Sequence, residues 1–285
     1  MTDLPVIEIG DWSGFERRSI PGPAGLLSVR ISGPEAAPTV LFGHSILTSS
    51  AVWHRQAAQL VAGGYRVICL DSRGHGASEA PVPPYAMDDL VDDVIAVLDT
   101  LGIARVHYVG VSQGGMTGFG LGVRYPDRLA SLCIVAARAD APPPFAAAWD
   151  DRIALVSKQK SVDVLAGPTA DRWFGPEFLA SNPDTTGRLL DCIRETSADG
   201  FVGCAQAIQG LDYLGGVAAI AVPTALIIGA RDTLLLQPMR NLAPLIATAS
   251  LHEITDGGHL PQIDQPTAFE AILEEHLTSA HATID

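Results

Sequence analysis

The sequence predicts an α/β protein in which helices flank a mostly parallel central sheet and a helical cap is inserted into the second half. Strand-like apolar runs alternate with helical patterns along most of the 285 residues, and this alternation is typical of parallel strands joined by right-handed helical crossovers. The alternation stops between residues 136 and 216, which predicts the insertion. A Gly-x-Ser-x-Gly sequence at 110–114, directly after an apolar run, predicts a sharp strand-to-helix corner.

The elements of the first half follow from the spacing of their apolar residues. Short apolar runs predict strands at 26–32, 39–42 and 65–70, and helical spacing predicts helices at 51–61 and 87–101. The second helix has one apolar face and several aspartates outside it. We interpret this acidic run as a solvated face rather than a metal site; its members are Asp88, Asp92, Asp93 and Asp99.

The second half continues the same alternation on both sides of the cap. Strands are predicted at 106–109, 129–135, 224–228 and 250–254, and helices at 114–125 and 266–277. The segment between the second and third of these strands has a helical pattern, many aromatic residues and a run of three prolines at its start. We therefore assign 1–138 and 217–285 to the core domain and 139–216 to the cap, which would roof the sheet.

Composition and charge limit the partners that we expect. A hydrophobic content of 47% suits one large core, and a net charge of −14 argues against nucleic acid or an anionic membrane surface as partner. The first residues do not resemble a signal peptide and the longest apolar stretch is broken by Pro223, so we expect a cytoplasmic protein. The four cysteines lack metal-ligand or disulfide spacing and are expected to be buried thiols; we propose no metal.

The chemistry of the 110–114 turn centres on Ser112. A serine hydroxyl attacks a carbonyl only when an imidazole accepts its proton and a carboxylate orients that imidazole. Asp232 and His259 each follow a predicted strand, and the chain order Ser112, Asp232, His259 is one of the known orders of such triads. Gln113 is at the start of the next predicted helix, and its backbone N–H would point at the developing oxyanion.

Four spaced motifs give the resemblance to a known family. The chain resembles the α/β-hydrolase superfamily through the loop 71–78, the turn at Ser112, the loop at Asp232 and the loop at His259. Within that superfamily it is similar to the 3-oxoadipate enol-lactonase branch through three further stretches, 41–48, 200–208 and 211–212. The resemblance implies an α/β-hydrolase fold with a cap, a serine nucleophile and no cofactor.

The resemblance also implies roles for residues near the serine. It makes the N–H of Ile46 the second oxyanion donor beside Gln113; an alignment shifted by one residue would make Ser45 the donor, and Ser45 could also act through its side chain. His44 and His75 match positions that are usually structural. Asp140 is the alternative acid, because some hydrolases carry the carboxylate after that strand. The remaining histidines apart from His259 are expected to be surface or packing residues. Asp256 and Asp264 are expected to be loop or helix-capping residues.

The implied activity is hydrolysis of a small-molecule ester or lactone through an acyl-enzyme. Alternatives are a carboxylesterase or lactonase for a larger apolar substrate, a carbon–carbon bond hydrolase, and a ligand-sensing protein. A homo-oligomer is compatible with the sequence. Candidate pocket residues are Ser45, Trp53, Met116, Trp149, Trp173 and Phe174. A carboxylate-bearing substrate would need a cation or several hydrogen-bond donors. The sequence leaves open which basic residue of the segment around the cap points inward: Arg138, Arg152, Lys158, Lys160, Arg172, Arg188 or Arg194.

Overall fold

A computed structural model describes residues 12–281 and places one eight-stranded sheet at the centre of the protein. The strand order is β1-β2-β4-β3-β5-β6-β7-β8. The pairs β1–β2 and β2–β4 are antiparallel, and all the later pairs are parallel. The strands are β1 (Glu16–Gly22), β2 (Gly25–Ser32), β3 (Thr39–Gly43), β4 (Arg66–Leu70), β5 (Val106–Val111), β6 (Leu129–Val135), β7 (Thr224–Gly229) and β8 (Ala249–Ile254).

Helices cover both faces of this sheet. Every residue of the five strands from β3 to β7 is buried, which explains their continuous apolar sequences. In the described residues the helices are α1 (His54–Ala62), α2 (Met87–Thr100), α3 (Gln113–Arg124), α4 (Pro143–Ala147), α5 (Asp150–Gln159), α6 (Asp163–Phe174), α7 (Pro176–Ser181), α8 (Pro183–Arg194), α9 (Ala198–Gln209), α10 (Leu236–Leu242), α11 (Pro261–Asp264) and α12 (Pro266–His281).

The predicted strands and helices of the core are confirmed to within a few residues at their ends. One strand was not predicted. β1 is an edge strand whose charged residues Glu16, Arg17 and Arg18 are partly or fully exposed, so it lacks the apolar run that would indicate a strand. The helix predicted at 51–61 begins as a 3₁₀ turn, Ser50–Trp53, and continues as α1.

Helices α4–α9 lie between β6 and β7, where the sequence predicts the cap. The two chain segments that lead into and out of this insertion are bonded together. The N–H of Tyr213 donates to the carbonyl of Ala139 over 2.7 Å. The backbones of Asp140 and Asp212 also form an isolated antiparallel β-bridge. The insertion therefore begins and ends at one point of the core, as a roof over the carboxyl ends of the strands requires.

The cap is also attached to the core through the loop after β4. The N–H of Ser197 donates to the carbonyl of Gly74 over 3.0 Å. A Cβ atom added to Gly200 would lie 2.5 Å from the Cα of Gly74, so the two backbones touch at a pair of glycines. This contact anchors α9 close to the sheet.

Asp93 is an exception to the prediction that the acidic run of α2 forms a solvated face. Its carboxylate is buried and forms two bonds with Arg73, Nε to Oδ2 at 2.7 Å and Nη2 to Oδ1 at 2.8 Å. The side chains of Asp88, Asp92 and Asp99 are exposed by 55%, 39% and 62%, as predicted. Asp93 differs because a buried arginine faces its side of the helix, and a buried cation needs an anion.

Two further sequence features can be placed. All four cysteines are buried free thiols, as expected. Between residues 12 and 281 no helix combines the length and the apolar composition needed to cross a lipid bilayer.

The Arg73–Asp93 pair gives a stability prediction. The substitution Asp93→Ala removes both short carboxylate bonds of a buried guanidinium and leaves it only the more distant Asp89 carboxylate, at 3.9 Å, so it should lower the free energy of unfolding by about 3 kcal/mol. Asp99→Ala is a matched control on the same helix, since the Asp99 carboxylate is exposed where it pairs with Arg128; this variant should lose less than about 1 kcal/mol. Urea unfolding measures both values, and equal losses would contradict the role given to Asp93.

Candidate active site

Ser112 occupies the sharp corner between β5 and α3. Its backbone has φ 56° and ψ −115°, a conformation that a non-glycine residue rarely adopts. The corner depends on glycines. A Cβ atom on Gly110 would lie 2.3 Å from the carbonyl oxygen of Gly114, and one on Gly114 would lie 2.3 Å from that of Gly43. This close approach of the backbones holds the strained serine at the carboxyl end of β5, where Ser112 is 6% exposed.

His259 and Asp232 are brought together from the loops that follow β8 and β7. The Nδ1 atom of His259 lies 2.7 Å from Oδ2 of Asp232. The other carboxylate oxygen accepts the N–H groups of Leu234 and Leu235, each over 3.2 Å. Burial acts to raise the pKa of Asp232, but His259 and these two donors lower it below its ordinary value. Asp232 therefore carries a fixed negative charge beside the imidazole.

Asp140, the alternative acid, has a different partner. Its carboxylate pairs with Arg138 at 2.8 Å, at the point where the chain enters the cap. The imidazole of His259 therefore contacts the carboxylate of Asp232, and the carboxylate of Asp140 instead pairs with Arg138.

A cavity of about 610 Å³ lies between the core and the cap, and the three residues of the predicted triad line it. The core side contains Ser112, Asp232 and His259, with Ile46 and Met116 beside them. The cap side is formed by aromatic and basic side chains, among them Phe145, Trp149, Arg152, Arg172 and Trp173. A site of this size, mostly apolar with few polar groups, is typical of a small-molecule pocket.

The predicted oxyanion donors lie on the two segments that meet at Ser112. Gln113 is the first residue of α3, and Ile46 lines the cavity. The N–H of Gly114 donates to the carbonyl of His44 over 3.0 Å and so holds the two segments together. Within the described part of the chain, neither the Gln113 N–H nor the Ile46 N–H has an acceptor. Ile46 lines the cavity whereas Ser45 does not, and which of the two N–H groups would be the donor stays a prediction.

Three candidate pocket residues do not reach the cavity. Trp53 is fully buried in the core, where its indole N–H donates to the carbonyl of Gly43 over 3.1 Å. Phe174 stacks on Phe178 inside the cap, with ring centres 5.0 Å apart. Ser45 is fully buried. Met116, Trp149 and Trp173 do line the cavity, and only the tertiary structure separates the two groups.

His44 and His75 support the loops beside the site, as the sequence indicated. The Nε2 atom of His44 accepts the N–H of Ser72 over 2.8 Å, and that of His75 accepts the N–H of Leu47 over 3.2 Å. Burial lowers the pKa of His44 and lowers that of His75 to about 3. Both rings are therefore neutral acceptors.

The sequence suggested a loop or helix-capping role for Asp264, and the structure shows which groups its carboxylate contacts. Its Oδ2 atom accepts the N–H of Gly258 over 2.6 Å, and the guanidinium of Arg231 lies 3.6 Å away. Burial raises the pKa of this carboxyl to about 6, against the lowering effects of these two neighbours. Asp264 therefore holds the loop that carries His259. Arg231 also lines the cavity, and no sequence signal singled it out.

The fold agrees with the comparisons to known proteins. The chain belongs to the alpha/beta hydrolase fold family, which matches residues 38–266. It is 34% identical over 243 residues to 3-oxoadipate enol-lactonase 2 of Acinetobacter baylyi, which covers 85% of this chain and 89% of the relative. The predicted fold and the predicted family are both confirmed.

Two solved structures show the same likeness. The enol-lactonase from Burkholderia xenovorans LB400 superimposes with a TM-score of 0.87 at 30% identity, over 92% of this chain and all of that one. A hydrolase from Pseudomonas aeruginosa gives the same TM-score and identity over 94% of this chain and 99% of that one.

The raised pKa of Asp264 predicts a pH-dependent stability. In the unfolded chain this carboxyl has its ordinary pKa of 3.8, and in the fold about 6. Between these values the folded protein keeps a proton that the unfolded chain releases, so stability falls as the pH rises through this window. The loss should be about 3 kcal/mol. Asp264→Asn should remove this part of the pH dependence. Urea unfolding of the wild type and the variant at about pH 4 and pH 7 measures the difference in unfolding free energy between the two pH values. The same difference in both proteins would contradict the prediction.

Proposed function

We propose that the chain is a serine hydrolase that cleaves a carboxylic ester or lactone through an acyl-enzyme. The observation that carries this proposal is one cavity lined by Ser112 and His259, with the histidine bonded to Asp232 over 2.7 Å. The strained backbone of Ser112 supports a nucleophilic role, since such strain is retained at functional positions.

The proposed reaction starts with proton transfer from the Ser112 hydroxyl to Nε2 of His259. The serine oxygen forms a bond to the substrate carbonyl carbon, and the carbonyl oxygen becomes an oxyanion near the N–H groups of Gln113 and Ile46. When the intermediate collapses, the acyl C–O bond breaks and His259 gives its proton to the leaving oxygen. In a lactone that oxygen stays attached through the acyl chain. Water, activated by the same histidine, then releases the acid.

The charges of the cavity favour a substrate that carries a carboxylate. Four arginines line the cavity, but Arg138 is paired with Asp140 and Arg231 lies beside Asp264. Among the residues that the structure describes, Arg152 and Arg172 have no ion pair. Burial, with Arg152 nearby, lowers the pKa of Arg172 to about 10 against the attraction of Asp232. Both guanidiniums are nevertheless charged at neutral pH, and guanidiniums that line a cavity without a carboxylate partner favour an anionic ligand.

These arginines support the enol-lactonase reading over the carboxylesterase for a larger apolar substrate. A 3-oxoadipate enol-lactone has a carboxylate that the two guanidiniums could hold while Ser112 attacks the ring ester. The similar proteins from Acinetobacter baylyi and Burkholderia xenovorans LB400 carry the enol-lactonase name. We therefore propose a small lactone or ester with a free carboxylate as the substrate.

The serine mechanism predicts the effect of Ser112→Ala. Acid release from a panel of lactones and esters, including an enol-lactone, should fall by about 10⁴- to 10⁶-fold, because the nucleophile is lost. Ser250→Ala, on an exposed position of β8, is the control and should leave the rate unchanged. A weakly buffered assay with a pH indicator measures the release. Activity that survives Ser112→Ala would rule the mechanism out, and no release by the wild type would direct attention to carbon–carbon cleavage or ligand sensing.

The two unpaired arginines predict a charge-selective effect. Arg172→Gln should raise KM about 10- to 100-fold for a carboxylate-bearing lactone, because a charge-assisted contact is lost. It should change KM little for a neutral lactone of the same ring size. Arg194→Gln is the control, since Arg194 is an exposed cap residue that pairs with Asp191. Equal effects of Arg172→Gln on the charged and the neutral lactone would contradict the carboxylate site.

A further inference from the structure

One cap residue, Trp173, contacts the proposed catalytic histidine in two ways. The backbone N–H of His259 donates to the carbonyl of Trp173 over 3.0 Å. The two rings also stack, with their centres 5.6 Å apart and their planes at 23°. Trp173 is the penultimate residue of α6 and lines the cavity while being only 2% exposed. The cap therefore touches the backbone and the ring of the same histidine.

The packing at this contact leaves little freedom. A Cβ atom added to Gly258 would lie 2.2 Å from the carbonyl oxygen of Trp173, so the histidine loop and the end of α6 approach each other through a glycine. On its other side the Gly258 N–H is held by Asp264 over 2.6 Å. The loop that carries His259 thus lies between a carboxylate of the core and a carbonyl of the cap.

The core alone does not orient the imidazole completely. The bond from Nδ1 to Asp232 fixes one edge of the ring, but a ring held by a single hydrogen bond can still tilt about the axis of that bond. The flat contact with the indole of Trp173 opposes this tilt. A general base must be held within about 10–20° of its productive direction. The stacked indole face also attracts the imidazolium that forms when His259 accepts a proton.

We propose that Trp173 is a positioning residue for His259, so that the cap forms part of the support of the proposed catalytic base. This inference depends on the serine hydrolase mechanism proposed above. Arg172 is the neighbouring residue on α6 and lines the same cavity. Substrate binding at the arginine and orientation of the base therefore depend on the same turn of helix, and movement of α6 away from the core would weaken both.

Substitutions at Trp173 separate the ring contact from the backbone contact, because every variant keeps the carbonyl group. Trp173→Leu removes the aromatic face and Trp173→Phe keeps a smaller one. Trp149→Leu is the matched control. Trp149 is also a buried cap tryptophan that lines the cavity, but its aromatic contacts are with Phe145 and Phe201.

The measurements are kcat and KM for acid release from a lactone, and the rate at which a small fluorophosphonate labels Ser112. Labelling needs the activated serine but few contacts with the cap. Trp173→Leu should lower kcat and the labelling rate about 10- to 100-fold, while KM changes by less than about threefold. Trp173→Phe should restore both rates to within about threefold of wild type. Trp149→Leu should act mainly on KM.

Equal kcat values and labelling rates for Trp173→Leu and Trp149→Leu would overturn the proposal, as would a Trp173→Leu variant that changes KM alone. If Trp173→Leu does not fold, as judged by circular dichroism, a Trp173→Phe labelling rate equal to wild type supports the proposal and a rate as low as that of Ser112→Ala overturns it. Failure of the wild type to release acid or to be labelled would instead overturn the serine mechanism, so the two failures are distinguishable.

Discussion

The close approach of three backbone segments at Ser112 is the constraint on which the site depends. The Cβ positions of Gly110 and Gly114 are occupied by carbonyl groups of Gly114 and Gly43, so β3, β5 and α3 meet without side chains between them. This contact allows the left-handed backbone of Ser112 and puts the start of α3 beside the loop that contains Ile46. The proposed nucleophile, the start of α3 and the proposed oxyanion donors are therefore all positioned by this one contact.

The cap completes the site rather than merely covering it. It is attached to the core at Gly74 and Gly200, and near Trp173 it reaches the loop of His259. It also contributes Arg152 and Arg172, two of the four arginines that line the cavity, in a protein whose net charge is −14. An anionic molecule would meet a repelling surface outside and an attracting interior, which makes the interior selective for ligands that fit under the cap.

Much of the core was predictable because its signals are local. The buried parallel strands are continuous apolar runs, and Ser112 and Asp232 each follow such a run, whereas His259 follows the less buried and more polar β8. Local signals fail where burial depends on a distant partner. Asp93 is on a helix face that looks solvated, but Arg73 comes from another loop to meet it. β1 was missed because an exposed edge strand needs no apolar run.

The sequence by itself determined the fold class, the family, and the order of Ser112, Asp232 and His259, because these depend on residue type and spacing along the chain. Only the tertiary structure decided which of several similar side chains face the cavity. Trp149 and Trp173 line it whereas Trp53 does not, and Arg152 and Arg172 lack the carboxylate that Arg138 has. These choices depend on the packing of helices from distant parts of the chain, and composition and periodicity carry no information about which distant surfaces meet.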